Sequence, residues 1–183
     1  MPDFHRADPR FSLCGLNCGL CLMYAGGHCP GCGGGNRACA LARCAQAHGA
    51  LEYCFLCHEY PCKLYEGRGE WDTVSFITSQ RRDLDMARAR EMGAAAYLGE
   101  LGEKMDIFQY LLHTCNDGRR KSLFSLAAIL PPLNDLRRTQ TALIQMDAAL
   151  PQRAQKAAQM LHESARIRGV ALRLRKKPVD ASP

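Results

Sequence analysis

Ten of the eleven cysteines in this 183-residue chain fall between Cys14 and Cys62, and no other feature limits the fold as much. A reducing cytosol keeps thiols reduced, and an odd total cannot pair completely, so disulfides do not account for the set. Metal is the alternative. Cys18 with Cys21, Cys29 with Cys32, and Cys54 with Cys57 each have the C-x2-C spacing. That spacing lets two thiolates reach one ion from a single tight turn, with the intervening amides directed at the sulfurs. Cys14, Cys39, Cys44 and Cys62 complete a set of ten candidate metal ligands. Three such pairs in so short a span point strongly to a metal and only weakly to which one. Cys115, the remaining thiol, reads as a small buried apolar residue.

The opening CGLNCGLC, residues 14 to 21, has a C-x3-C-x2-C spacing that two kinds of site share. One is an open four-iron cluster in a radical-SAM enzyme; the other is a corner of a closed cage. A barrel for the first needs about 200 residues or more of alternating strands and helices, and no such repeat is present. The cage is therefore expected. In CPGCGGG, residues 29 to 35, Pro30 sets one backbone angle, and Gly31 and Gly33 permit the left-handed angles of a chain folded over its own metal. Ten thiolates exceed the eight of two closed sites. The simplest grouping closes one site locally with Cys29, Cys32, Cys39 and Cys44. Cys14, Cys18, Cys21, Cys54, Cys57 and Cys62 are left for a second site plus two spare thiols.

CGLNCGLC, CPGC, the CALARCAQAHG stretch and CFLCHEYPC resemble, in cysteine order and spacing, the bacterial and archaeal cysteine-rich family called domain of unknown function 3795. NDGRRKS, residues 116 to 122, and the apolar helix after it extend the likeness to roughly residues 11–138. The resemblance implies a metal-binding module for zinc or an iron–sulfur centre, with no established reaction.

The histidines add little to the ligand set. His28 adjoins Cys29 and His58 follows Cys57, which would allow a mixed site, but ten thiols make them unnecessary. His48 ends a short helix starting near Ala40, where it caps carbonyls. Among the acids, Glu52 and Glu59 read as surface charges or hydrogen-bond partners of the metal loops. No GxSxG, HExxH or phosphate loop is present, so no conventional catalytic motif marks an enzyme.

The rest of the chain reads as helical. Leu98, Leu101, Met105, Phe108 and Leu112 form one stripe within residues 83–113, a span that glycines at 93, 99 and 102 are expected to weaken. Further helices are expected near 119–130, 134–148 and 151–168, the last opening on Pro151 and burying Ala154, Ala158, Leu161 and Ala165. Val170, Leu172 and Leu174 alternate with Ala171, Arg173 and Arg175, which predicts a short C-terminal strand. The expected fold is thus a small cysteine-rich metal-stabilised module at 11–66, a mainly α-helical region at 70–168, and a basic tail at 169–183 with that strand.

Charge and hydropathy narrow the function classes. At 47% hydrophobic with a mean hydropathy of −0.24, the chain has the composition of a soluble domain. Without a signal peptide or membrane span in its pattern, the protein is expected in the cytoplasm. All of the +6 net charge lies beyond residue 62. Two four-thiolate zinc sites, each of charge about −2, would lower the total to roughly +2. Neither Arg119–Lys121 nor the tail from Arg166 to Lys177 sits among the aromatic residues of a nucleic-acid surface, so nucleic acid is disfavoured as a partner. Three classes remain. A zinc-organised binding module would meet a protein partner through its helical part; an iron–sulfur protein with [4Fe–4S] clusters would transfer electrons or sense redox state; a thiol enzyme or metal carrier would use the two spare cysteines. If eight of the ten thiols close two sites, thiol titration of the native metal-loaded protein should find reactive cysteines beyond Cys115. Protection of all ten would instead indicate bridging sulfurs or a third site.

Overall fold

The span 83–113 is carried by two helices that meet at one glycine, and the whole predicted stripe from Leu98 to Leu112 lies on the second of them. In the computed structural model, which describes residues 4–34, 39–66, 70–72 and 76–177, α3 spans Arg82–Met92 and α4 spans Ala94–Thr114. Gly93 between them has φ 88° and ψ 141°, a conformation that only glycine adopts without strain. Gly99 and Gly102 cause no break. Each costs the helix about 1 kcal/mol, but Tyr97, Leu101, Ile107, Phe108 and Leu111 of the same helix are buried and outweigh that cost.

α4 is the central element. Around it pack α5 (Lys121–Ile129), α6 (Leu133–Ile144) and α7 (Leu150–Ile167), with α3 alongside. α5 stops ahead of Pro131 and Pro132, as the sequence predicts. α6 ends four residues early because residues 145–149 turn the chain back into α7. α6 and α7 are clasped by the Asp135 carboxylate, which accepts from Ser164 Oγ at 2.7 Å and from Arg168 Nε at 3.1 Å. Cys115 is fully buried. None of the helices in the described residues is long and apolar enough to cross a membrane.

The cysteine-rich part contributes two short helices, α1 (Leu22–Ala25) and α2 (Ala40–Ala47), and three 3-10 turns. It does not have a core of its own. Phe11, Leu20, Tyr53 and Phe55 belong to the same buried cluster as α3 to α7. An aromatic row crosses the junction, with Phe11 4.6 Å from Tyr97 and 5.6 Å from Tyr53, and Tyr53 stacked on Phe55 at 5.1 Å. Only a small satellite of Leu13, Leu41, Ala42, Ala45 and Tyr65 is separate, and Cys14, Cys32, Cys39, Cys54 and Cys62 pack against it.

The expected C-terminal strand is not formed; the described residues contain no strand. A strand needs a ladder, and the alternation of Val170, Leu172 and Leu174 reflects something else: all three pack on the main core. Residues 170–177 form a strap that bends at Arg173, where Gln80 Nε2 donates to the Arg173 carbonyl at 2.8 Å, and that is held most closely at Asp72. The Arg175 amide donates to Asp72 Oδ2 and the Asp72 amide to the Arg175 carbonyl, both at 2.8 Å. Ser79 donates to Asp72 Oδ1 through its amide at 2.7 Å and its hydroxyl at 2.8 Å. Burial pushes the Asp72 carboxyl up, but the Ser79 and Arg175 amides outweigh it and hold it below the ordinary range. Asp72→Ala should lower the unfolding free energy by about 2–3 kcal/mol and expose residues 173–177 to trypsin, as read by urea denaturation and limited proteolysis.

Candidate metal centre

Two C-x2-C segments fold into one repeated turn. Cys18–Leu20 and Cys54–Leu56 are both 3-10 turns, closed by the Cys21 amide on the Cys18 carbonyl and the Cys57 amide on the Cys54 carbonyl, each at 3.0 Å. The second cysteine is extended in both, at φ −80°, ψ 137° and φ −77°, ψ 137°. The CPGC turn is built differently. Gly31 and Gly33 take the left-handed angles expected, φ +85° and +98°, and the Cys32 amide donates to the Pro9 carbonyl at 3.1 Å. A Cβ on Gly31 would stand 2.6 Å from that carbonyl oxygen, so this loop lies directly on residues 6–10.

The thiols gather at two places that adjoin through Cys14, which lies near both Cys54 and Tyr65. Cys44, Cys54, Cys57 and Cys62 line one cavity of about 20 Å³, together with His48, Tyr60 and Tyr65. In the other group Cys18 is surrounded by Cys14, Cys21, Cys29 and Cys32, and Cys39 lies near Cys14. Cys44 lines the cavity, whereas Cys29, Cys32 and Cys39 do not. Cys39 precedes α2 and Cys44 is in its second turn, and five residues of helix rotate a side chain by about 140° from its starting direction. Cys21 is buried, its thiol 3.7 Å from the Phe76 carbonyl, while Cys29 is exposed.

All eleven cysteines are thiols. Burial raises the Cys14 and Cys18 thiols well above their ordinary value, and neighbouring sulfurs add to the shift. Burial likewise pushes Cys54 up to about 12. A cation entering either group must displace protons from buried thiols. Among the described residues, no three Cys, His, Asp or Glu side chains are placed to hold an ion as they stand. Closing a coordination shell therefore requires side-chain rotation within each group.

Two buried donors indicate that the residues suit such a centre. The Arg6 guanidinium lies against Cys32, with Nε and Nη1 buried and aligned to no acceptor. The Tyr65 hydroxyl lies against Cys54, also buried and without an aligned acceptor. Buried donors left without acceptors are costly, and a thiolate at each sulfur would supply one.

The remaining polar residues hold the loops. His48 ends α2 as expected, with Nδ1 2.9 Å from the Cys44 carbonyl oxygen. His28 is exposed, as is His58, which stands 3.7 Å from Glu59. Glu52 accepts from Arg6 Nη2 at 3.0 Å and from the Ala7 and Asp8 amides at 3.3 and 3.1 Å, tying down residues 6–8. No family model, no curated protein and no solved structure matches the chain.

Beneath CGLNC lies a polar joint. The Asn17 amide donates to Asp85 Oδ2 at 2.7 Å, and its oxygen accepts from the Tyr97 hydroxyl at 2.9 Å. Asp85 also faces Arg81 and Lys104, and burial lowers Lys104 to about 8. The Lys104 ammonium donates to the Pro131 carbonyl at 2.9 Å. Sequence reading passed over Asn17, Arg6 and Tyr65. The one available signal was a polar Asn between two cysteines in an otherwise apolar loop. Asn17→Ala should cost about 2–4 kcal/mol, because it leaves Asp85 and Tyr97 short of buried partners. It should also speed thiol modification at Cys14 and Cys18; Tyr97→Phe, losing one hydrogen bond, should cost about 1 kcal/mol.

Proposed function

We propose that the chain is a metal-organised binding module with zinc as its structural ion. The observation that carries this reading is the cavity of about 20 Å³ lined by Cys44, Cys54, Cys57 and Cys62. That volume suits one water-sized sphere or a single ion. Four thiolates are a closed structural set for zinc, which leaves no open position for substrate. The ion would cross-link α2 to the CFLCHEYPC loop, where the satellite core has only five buried residues to hold the segment. The repeated C-x2-C turn at Cys18 supports the same role for the first group. The resemblance of residues 11–138 to the cysteine-rich family implies a metal-binding module, for zinc or an iron–sulfur centre alike. On this reading the thiols fasten loops onto a helical body, and that body meets a protein partner. Nucleic acid is the weaker alternative, since Arg120, Arg166, Arg168 and Arg175 of the basic clusters each pair with a carboxylate of the chain itself.

Elemental analysis and an absorption spectrum after anaerobic purification test the assignment. The expected protein is colourless, carries about two zinc ions per chain, and loses one of them in Cys57→Ser. A brown protein with a broad band near roughly 400 nm and equal iron and sulfide would replace zinc with an iron–sulfur centre and assign the protein to redox work.

A further inference from the structure

Each thiol group has one buried donor that finds no oxygen or nitrogen acceptor, and in each case a sulfur lies against it. We infer that Arg6 and Tyr65 are outer-sphere donors to two metal–thiolate centres, Arg6 to the sulfur of Cys32 and Tyr65 to that of Cys54. The inference rests on the metal reading above and assigns it two residues that do not touch the ion.

Arg6 is fixed on several sides. Its side chain is 1% exposed, its Nη2 is paired with Glu52 at 3.0 Å, and its guanidinium carbon lies 4.9 Å over the Tyr53 ring. A Cβ on Gly33 would approach Arg6 Cγ at 2.9 Å, so the residue after Cys32 is a glycine where the arginine stem passes. Glu52 uses one edge of the fork. Nε and Nη1 are left facing the cysteine loop, buried and unaligned with any acceptor. A guanidinium carries five N–H donors; Glu52 takes part of the fork, and for the buried Nε and Nη1 the acceptor at hand is the sulfur of Cys32.

Tyr65 is held as firmly. Its ring meets Tyr60 edge-on at 5.0 Å and lies 5.2 Å beneath the Arg82 guanidinium. Its position on the wall of the four-thiol cavity leaves the hydroxyl against Cys54. The two donors differ in kind. Arg6 brings a full positive charge to the group with six thiols, whereas Tyr65 brings a neutral dipole to the group with four. A six-thiol group that ionises gathers more negative charge and needs the cation more.

An N–H or O–H bond to a metal-bound sulfur lowers the energy of its lone pairs, so its loss shifts the sulfur-to-metal charge-transfer band to longer wavelength. It also weakens metal retention, by about 10–100-fold for a typical outer-sphere partner. The test uses the full chain loaded with cobalt(II) alone, in wild type, Arg6→Met, Arg6→Lys and Tyr65→Phe. Each variant is titrated with a chelator while the band is followed. The expected result is a longer-wavelength band and 10–100-fold easier removal of one cobalt equivalent in Tyr65→Phe. Arg6→Met should do the same to the other equivalent, and Arg6→Lys should restore part of it. A loss of structure alone would lower occupancy without moving the band. Unmoved bands and wild-type retention in Tyr65→Phe and Arg6→Lys would overturn the inference with the metal reading intact. Wild-type protein that takes up no cobalt would overturn both.

Discussion

The side-chain amide of Asn17 is where the cysteine loops and the helices become one body. It sits between two thiols of CGLNC, yet both of its hydrogen bonds go to the helical region, to Asp85 on α3 and Tyr97 on α4. Asp85 is buried with a carboxyl raised first by desolvation, and Arg81 and Lys104 oppose that shift. Those two cations in turn donate to the carbonyls of Leu130 and Pro131, where α5 gives way to α6. One amide is therefore linked through a single carboxylate to three further segments. A buried network of this kind specifies one arrangement because each member is costly to leave unpaired. The loop bearing Cys14 and Cys18 is closed by its own hydrogen bonds through Ser12 and Leu16, and Asn17 fixes that closed loop to the helices.

The same logic explains why the cysteine-rich part lacks an independent core. Phe11, Tyr53 and Phe55 are spent on the main core, and Ser125 of α5 donates to the Leu20 carbonyl at 2.7 Å. What remains outside is α2, the CPGC loop and the residues around Cys57 and Cys62. This outer layer packs on a satellite in which Leu13, Leu41 and Tyr65 are the only large buried side chains. Apolar burial holds the inner half of the cysteine region, and the thiols are concentrated where that burial runs out.

Local patterns predicted local structure well. The stripe around Leu101 and Phe108, the entry of α7 at Pro151, the left-handed Gly31 and Gly33, and the cap at His48 all follow from spacing and backbone chemistry within a few residues. The failures have a common cause, which is sequence distance. Arg6 and Glu52 are 46 residues apart, Asn17 and Tyr97 are 80 apart, and Asp72 and Arg175 are 103 apart. No periodicity reports such pairs. The strap misled for a related reason: alternation of Val170, Leu172 and Leu174 shows that one face is buried, and it does not say whether the other edge finds a strand.

The strap also bears on the order in which the molecule can be completed. Asp72 and the Ser79 turn are made first, and their partner at Arg175 follows 103 residues after Asp72. During synthesis the helices and the cysteine loops can pair with neighbours already made, whereas the Asp72 carboxylate must stay hydrated until residue 175 emerges. Such a long-range closure costs loop entropy before any contact offsets it. The strap is thus a late latch: the core beneath Val170, Leu172 and Leu174 stays uncovered until α3 to α7 have all been made.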